Sequence, residues 1–110
     1  LNEIILSGTI TEIRAFAFNN CTSLETIVFI GAGCAFYYQP FVNCPNLREL
    51  IYEGLFVNTS GLISGYLKVG GVVKVKCNSL AEVTNATLTN TELFTATYDS
   101  ATGYAIFTKK

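Results

Sequence analysis

The side chains in this sequence most capable of chemistry are those of its four cysteines, Cys21, Cys34, Cys44 and Cys77. Their unequal spacings, with a long gap between Cys44 and Cys77, match no common zinc site, and the sequence contains no histidine that could complete one. Without histidine, a serine–histidine or cysteine–histidine nucleophile pair is impossible. The sequence also lacks the G-x-S-x-G and Walker A motifs. We therefore expect neither a metal site nor nucleophilic catalysis.

Two further patterns are suggestive of chemistry but are better explained as structure. The segment 30–35 reads Ile-Gly-Ala-Gly-Cys-Ala after an apolar stretch, as a dinucleotide-binding loop does. Phe36 occupies the third glycine position, however, and Pro40 would break the helix that must meet the pyrophosphate. Paired carboxylates such as Glu49 and Glu53 are expected on solvated strand edges, because charges of this kind are normally exposed. We predict no cofactor and no catalytic residue, and therefore not an enzyme.

Charge and hydropathy exclude two classes of partner. The net charge of −1 divides into −3 over residues 1–57 and +2 over residues 58–110, and neither part has the clustered lysine and arginine that nucleic-acid binding needs. The apolar run 27–38 is much shorter than the roughly 20 residues of a membrane-spanning helix, so we predict no membrane span. The low charged fraction, with much threonine, asparagine and glycine, is typical of extracellular proteins. Residue 1 is not methionine and no signal peptide is evident, so we expect a piece of a longer protein.

A 23-residue repeat organises the first half of the chain. Leu1, Leu24 and Leu47 open the phrases LNEIIL, LETIVF and LRELIY at equal intervals. Phe18-Asn19-Asn20-Cys21 returns at the same interval as Phe41-Val42-Asn43-Cys44. Repeats of this length indicate stacked units, because one unit alone cannot bury its apolar side.

These phrases resemble the BspA-like leucine-rich repeats of bacterial and protist surface proteins. The first repeat matches that family's pattern at Leu1, Ile4, Leu6, Ile10, Ile13, Ala17, Phe18 and Cys21, and the second at Leu24, Ile27, Phe29, Phe36, Phe41 and Cys44. Ser7, Arg14, Gly33 and Pro40 depart from it, and the third repeat degenerates beyond about Phe56. The resemblance implies a solenoid of right-handed leucine-rich-repeat coils with a parallel strand ladder over residues 1–57, divided as 1–23, 24–46 and a partial 47–57. It also implies a secreted or cell-surface protein that serves binding or adhesion.

Stacking of the coils predicts which side chains form the core. Strands near residues 3–6, 26–29 and 49–52 would be parallel neighbours, with Ile4, Leu6 and their equivalents pointing inward. Phe18 would then lie over Phe41, and Cys21 over Cys44. Cys21 and Cys44 could form a disulfide at that distance, but as small apolar side chains they also fill a ladder without one, and we favour the second interpretation. We expect Cys34 and Cys77 to be buried thiols.

The second half of the chain has a different pattern. We interpret residues 58–65 as a connector and 66–110 as a small antiparallel β module or cap. Val73, Val75 and Cys77 alternate with lysines, and the segments 93–99 and 104–109 form a hairpin with a five-residue loop. We predict a further strand within Leu80–Glu92, giving four or five antiparallel strands. These strands either cap the open end of the solenoid or form a sandwich-like module, and we favour a module packed on the last coil.

The candidate partner face follows from strand alternation: the side chains between the inward positions point outward. It comprises Glu3, Ile5, Thr26, Val28, Glu49 and Ile51. Ile5, Val28 and Ile51 form an apolar row on an otherwise polar face, which suits a protein ligand or self-association. The alternative is that β-branched residues are there only because strands favour them.

Two rival functions stay open. The chain could be a structural spacer or cap that displays another domain. It could also be a carbohydrate-binding accessory domain, if Tyr37, Tyr38, Tyr66, Tyr98 and Tyr104 gather on one face. Three Asn-x-Ser/Thr sequons, at Asn20, Asn58 and Asn85, mark glycosylation only in a secreting eukaryote.

Overall fold

The computed structural model describes residues 2–6, 12–13, 18, 20–30, 35–36, 44–54 and 67–110. They form eight strands and one short 3₁₀ helix, so the expectation of a strand-rich chain is confirmed. In chain order the elements are β1 (Glu3–Leu6), β2 (Glu12–Ile13), β3 (Thr26–Phe29), β4 (Ala35–Phe36), β5 (Glu49–Tyr52), β6 (Val72–Lys76), the 3₁₀ helix (Leu80–Glu82), β7 (Phe94–Asp99) and β8 (Tyr104–Lys109). Six strands make one mixed sheet in the order β1-β3-β5-β6-β8-β7, and β2 pairs with β4 separately.

The 23-residue period appears directly as strand register. Glu3 pairs with Thr26, and Thr26 with Glu49, in parallel ladders that keep this step throughout β1, β3 and β5. The predicted parallel strands at 3–6, 26–29 and 49–52 are confirmed. The short β2–β4 ladder has the same step, since Glu12 pairs with Ala35. Repeat-equivalent residues therefore occupy equivalent positions on neighbouring strands.

Strand β6 continues the same ladder, which the sequence analysis did not anticipate. Val72 pairs in parallel with Glu49, again one repeat period away. In this register Gly70, with a φ of 90°, stands where Leu1, Leu24 and Leu47 begin the earlier phrases. The expectation of four or five antiparallel strands after residue 66 was wrong: residues 67–110 hold three strands, and the first of them extends the parallel sheet. The proposed boundaries at 57/58 and 65/66 lie outside the described residues and stay predictions.

The antiparallel hairpin that ends the sheet was predicted correctly, although four residues, 100–103, join its strands rather than the five expected. β7 pairs antiparallel with β8, and β8 pairs antiparallel with β6. In the turn between β7 and β8, Asp99 Oδ1 accepts the Ala101 N–H at 3.0 Å and Gly103 adopts a φ of 79°. A positive φ at Gly103 costs little, because glycine has no Cβ to clash with its own carbonyl.

The predicted strand within Leu80–Glu92 is absent. The segment contains the 3₁₀ helix and a series of turns instead. Asn85 Oδ1 accepts the N–H groups of Thr87 and Leu88, and Asn90 Oδ1 accepts that of Glu92. Asparagine side chains that bond the backbone one turn ahead compete with a strand's ladder, and here they prevail.

One apolar core runs beneath the sheet from β1 to β8 and includes Phe94 of β7. All six predicted inward residues of β1, β3 and β5 are buried: Ile4, Leu6, Ile27, Phe29, Leu50 and Tyr52. Val73 and Val75 of β6, with Phe107 of β8, continue the same layer without a break. The Phe29 and Tyr52 rings stack with centroids 4.4 Å apart and planes 7° from parallel. Phe41 and Cys34 lie outside the described residues, so their expected burial stays a prediction.

Candidate functional site

The outward face of the sheet holds the predicted partner residues. We define it as Glu3, Ile5, Thr26, Val28, Glu49 and Ile51 together with the outward residues of β6, β8 and β7, which are Val72, Lys74, Lys76, Tyr104, Ile106, Thr108, Thr95, Thr97 and Asp99. Ile5 is 57% exposed and Glu3 is exposed, whereas the other four predicted residues are half-buried between their neighbours. The structure thus brings the six predicted residues together on one surface opposite the core.

The apolar row predicted on this face is continuous and has a defined end. Ile5 pairs with Val28, and Val28 with Ile51. Parallel strands lie about 4.8 Å apart, so each β-branched side chain of the row is close to the next one. Lys74 is the next member, and Ile106 and Thr97 follow it on the hairpin. A ligand that covers the isoleucine–valine row therefore meets an ammonium group at the end nearer the hairpin.

Glu49 is held by its neighbours on the outward face. Its Oε2 lies 2.8 Å from Lys74 Nζ, and its Oε1 accepts a hydrogen bond from Thr26 Oγ1 at 3.3 Å. Both oxygens are therefore engaged, which fixes the carboxylate beside the apolar row. Glu3, at the other end of its row, is exposed and takes part in none of the ion pairs seen within the described ranges. The face is consequently acidic at β1 and neutralised at β6.

A tyrosine-centred cluster marks the carboxyl end of the parallel strands. Tyr104 Oη donates a 2.6 Å hydrogen bond to Glu53 Oε1, and Lys76 Nζ lies 4.7 Å from the centroid of the Tyr104 ring. The hydrogen bond to Glu53, with smaller contributions from burial and from the charge of that carboxylate, raises the pKa of Tyr104 to about 12. Lys76 Nζ also donates to the Thr102 carbonyl at 3.0 Å. These contacts tie the hairpin to β5 and β6.

Sequence reasoning missed the part of the outward face that follows Ile51. Lys74, Ile106 and Tyr104 belong to it because β6 joins the ladder and carries the hairpin with it. The available signal was the spacing itself: Lys74 lies one repeat period after Ile51, and Val75 lies one period after Tyr52. Glycine at position 70 concealed this signal, since the leucine that opens each earlier phrase is absent there.

The cysteines form a structural pair rather than a reactive centre. Cys21 and Cys44 occupy repeat-equivalent positions and form no disulfide, and Cys44 is buried with its Sγ donating to the Phe18 carbonyl at 3.1 Å. Burial is the main cause that raises the pKa of Cys44, so little reactive thiolate forms there near neutral pH. Cys77 was expected to be buried and is only half-buried, because it follows the last residue of β6 at the end of the sheet.

A shallow open groove lies beside Cys77, between β6, β7 and the 3₁₀ helix. Several of its polar groups already form hydrogen bonds within the protein. Tyr98 Oη donates to the Cys77 carbonyl at 2.8 Å, and the Glu82 carboxylate accepts the backbone N–H groups of Asn78 and Ser79. A ligand here would have to displace internal hydrogen bonds, so the groove is a poorer candidate site than the outward face.

The tyrosines considered for carbohydrate binding do not assemble where the structure describes them. Tyr98 lies opposite Ala105 on the core side of the hairpin, whereas Tyr104 lies opposite Asp99 on the outward face. Strand alternation places them on opposite sides of the sheet. Tyr37, Tyr38 and Tyr66 lie outside the described residues, as do Phe36's side chain and the glycines at 31 and 33 of the dinucleotide-like segment.

The described part of the chain lacks two other features, a metal-ligating cluster and a membrane-spanning helix. No group of three or more metal-ligating side chains occurs there. None of its helices has the length and apolar character needed to cross a membrane. Comparison of the chain with models of known protein families, with curated proteins and with solved structures finds no match.

Proposed function

We propose that this chain is a non-catalytic protein-interaction module of a secreted or cell-surface leucine-rich-repeat protein. In this proposal the chain binds its partner across the outward face. The observation that carries it is the apolar row Ile5, Val28 and Ile51, which the parallel register aligns and strand alternation turns away from the core. The BspA-like resemblance supplies the extracellular setting and the role in adhesion.

The strand register supports the solenoid part of the proposal. Two separate ladders, β1–β3–β5 and β2–β4, advance by one 23-residue period per strand. A repeat that contributes one strand to each of two ladders forms one coil of a solenoid. Residues 1–57 would then form leucine-rich-repeat coils, and β6 with the β7–β8 hairpin would close the far end.

The chemistry of the outward face supports a protein partner over a nucleic acid. The row Ile5, Val28 and Ile51 in this face is aliphatic. The charged side chains beside the row are of mixed sign: Glu3 and the Glu49–Lys74 pair. Covering aliphatic side chains stabilises a complex by about 25 cal/mol per Å² of apolar surface removed from water. Ile5 is the most accessible member of the row, so the binding surface extends to the β1 edge.

The test uses binders that were not chosen for any surface. Peptides selected from an unbiased display library against the whole chain are measured for binding to Val28→Lys. The new ammonium group would sit in the middle of the row and lose hydration when covered. We expect these peptides to bind at least about tenfold more weakly, which corresponds to about 1.4 kcal/mol.

The matched control is Val69→Lys, since Val69 is 78% exposed, precedes β6 and is not one of the residues that define the outward face. It should bind the same peptides as the unmodified chain does. If Val28→Lys binds them equally well, the outward face is not the binding surface and the spacer function becomes the better proposal. If Val28→Lys unfolds by circular dichroism, Val28 is part of the core and the assignment of the face is wrong.

A further inference from the structure

Strand β7 is an edge of the sheet whose backbone groups are not all used. It is last in the strand order and pairs only with β8 among the described strands. Lys110 N–H donates to the Leu93 carbonyl, so the backbone N–H and C=O groups of residues 93, 95, 97 and 99 point toward β8. The backbone groups of the alternate residues Phe94, Ala96 and Tyr98 point away from β8. The Phe94 N–H is taken by the Asn90 carbonyl. The remaining N–H and C=O groups, above all those of Ala96, have no partner in the described part of the chain.

This edge is also accessible. Thr95, Ala96 and Thr97 are all exposed. Ala96 is exposed although its side chain lies on the core side, opposite the buried Phe107, so the middle of the strand is accessible on that side as well. Proteins commonly protect an edge with lysine, proline or a bulge. The stretch Phe-Thr-Ala-Thr-Tyr has none of these and carries no charge.

We propose that β7 is a homodimer interface, at which the β7 strands of two copies pair antiparallel about a two-fold axis at Ala96. This axis sets Ala96 opposite Ala96 of the second copy and Phe94 opposite Tyr98. Both backbone groups of Ala96, the N–H of Tyr98 and the carbonyl of Phe94 are then used, while the Phe94 N–H keeps its bond to the Asn90 carbonyl. An axis at Thr95 or Thr97 would instead set Tyr98 or Phe94 opposite a residue beyond the end of β7.

The side chains agree with this register. Thr95 would face Thr97 and Phe94 would face Tyr98, and threonine pairs and aromatic pairs both favour antiparallel neighbours. Asp99 would lie opposite Leu93, so the two Asp99 carboxylates stand at opposite ends of the interface. A self-complementary strand of this kind gives a closed pair with one sheet running through both copies. The interface uses the backbone edge of β7 and not the row Ile5, Val28 and Ile51, so it goes beyond the function proposed above.

The experiment compares Ala96→Lys, Ala96→Glu and their equal mixture by sedimentation velocity over a dilution series of the full chain. At the two-fold axis each variant places two like charges directly opposite each other, one from each copy. Because these charges repel, we expect self-association at least tenfold weaker than in the unmodified chain. In the mixture, lysine faces glutamate, and we expect association to return. Ala101→Lys is the matched control: it adds the same charge at an exposed turn residue outside β7 and should associate as the unmodified chain does.

Amide hydrogen exchange gives a second reading that needs no substitution. In the unmodified chain, the amides of Ala96 and Tyr98 should exchange more slowly as concentration rises, while that of Thr97, already bonded toward β8, should not respond. A chain that stays monomeric at the highest concentration would overturn the proposal. So would Ala96 variants that associate as the unmodified chain does, or a mixture that stays monomeric. Dimerisation that is abolished by Val28→Lys and not by the Ala96 variants would place the interface on the outward face instead.

Discussion

Replacement of Ile27 by alanine should destabilise the protein strongly, because this side chain is the centre of the inward ladder. Ile27 is 0% exposed and its register partners are Ile4 and Leu50, both buried. The change removes three carbons, and the lost transfer free energy is about 2.4 kcal/mol at about 0.8 kcal/mol per carbon. The cavity left between two packed neighbours adds about 1 kcal/mol or more. We expect a loss of about 3–4 kcal/mol in the free energy of unfolding, which lowers the melting temperature by roughly 10–20 °C.

Ile5→Ala is the control, since it makes the same chemical change on a neighbouring strand and on the opposite face. Ile5 is 57% exposed, so less than half of the same transfer free energy is lost, about 1 kcal/mol. Urea denaturation followed by circular dichroism measures both variants. Equal midpoint shifts for the two would refute the reasoning, because they would mean that strand alternation does not separate a core side from a solvent side.

Two further predictions concern the hairpin and its contacts. Glu53→Gln should return the pKa of Tyr104 from about 12 toward 10, as measured by the pH dependence of the Tyr104 ring signals in nuclear magnetic resonance spectra; an unchanged pKa would mean that Glu53 is not its partner. Because the pKa of Tyr104 in the folded chain lies above the value of 10 expected when unfolded, the stability that this contact contributes is complete below pH 10 and is lost as the pH rises toward 12. Gly103→Ala should cost about 1–2 kcal/mol in urea denaturation because a side chain is strained at a φ of 79°, although the added Cβ would have room, 3.5 Å from Lys76 Cε. Ala101→Gly in the same turn should shift the midpoint far less, and equal effects would show that the backbone at Gly103 is not constrained.

The 23-residue spacing predicted the parallel half of the sheet well. The positions of Leu1, Leu24 and Leu47 indicated the bounds of β1, β3 and β5, their direction and their buried side, because a repeat constrains register as well as secondary structure. Burial within each strand then followed from simple alternation. The same spacing continues to β6, but that strand was not recognised as a repeat because Gly70 replaces the leucine that opens each phrase.

The segment between β6 and β7 shows why composition was a poor guide there. Threonine favours strands, so a stretch rich in threonine and asparagine was interpreted as one. Its structure is decided by individual side chains: the carboxylate of Glu82 accepts the Ser79 N–H at the start of the 3₁₀ helix, and Asn85 and Asn90 close the turns. The pattern Ser79-x-x-Glu82 was a visible signal of a helix start.

The outward face could be predicted in part. The portion from Ile5 to Ile51 follows from the repeat and alternation alone. The remainder depends on β8 lying beside β6, and this pairing of distant segments has no local signature. The contact between Tyr104 and Glu53, 51 residues apart, is of the same kind.

The constant step of the parallel ladder has an evolutionary consequence. Each junction, from Glu3 to Thr26 and from Thr26 to Glu49, joins strands at the same relative position. Excision or duplication of one 23-residue unit within this ladder therefore leaves every remaining strand in register and every inward side chain facing the core. Unequal recombination within the gene could lengthen or shorten the ladder in whole units. The hairpin would be unaffected, since β8 meets the ladder only at β6.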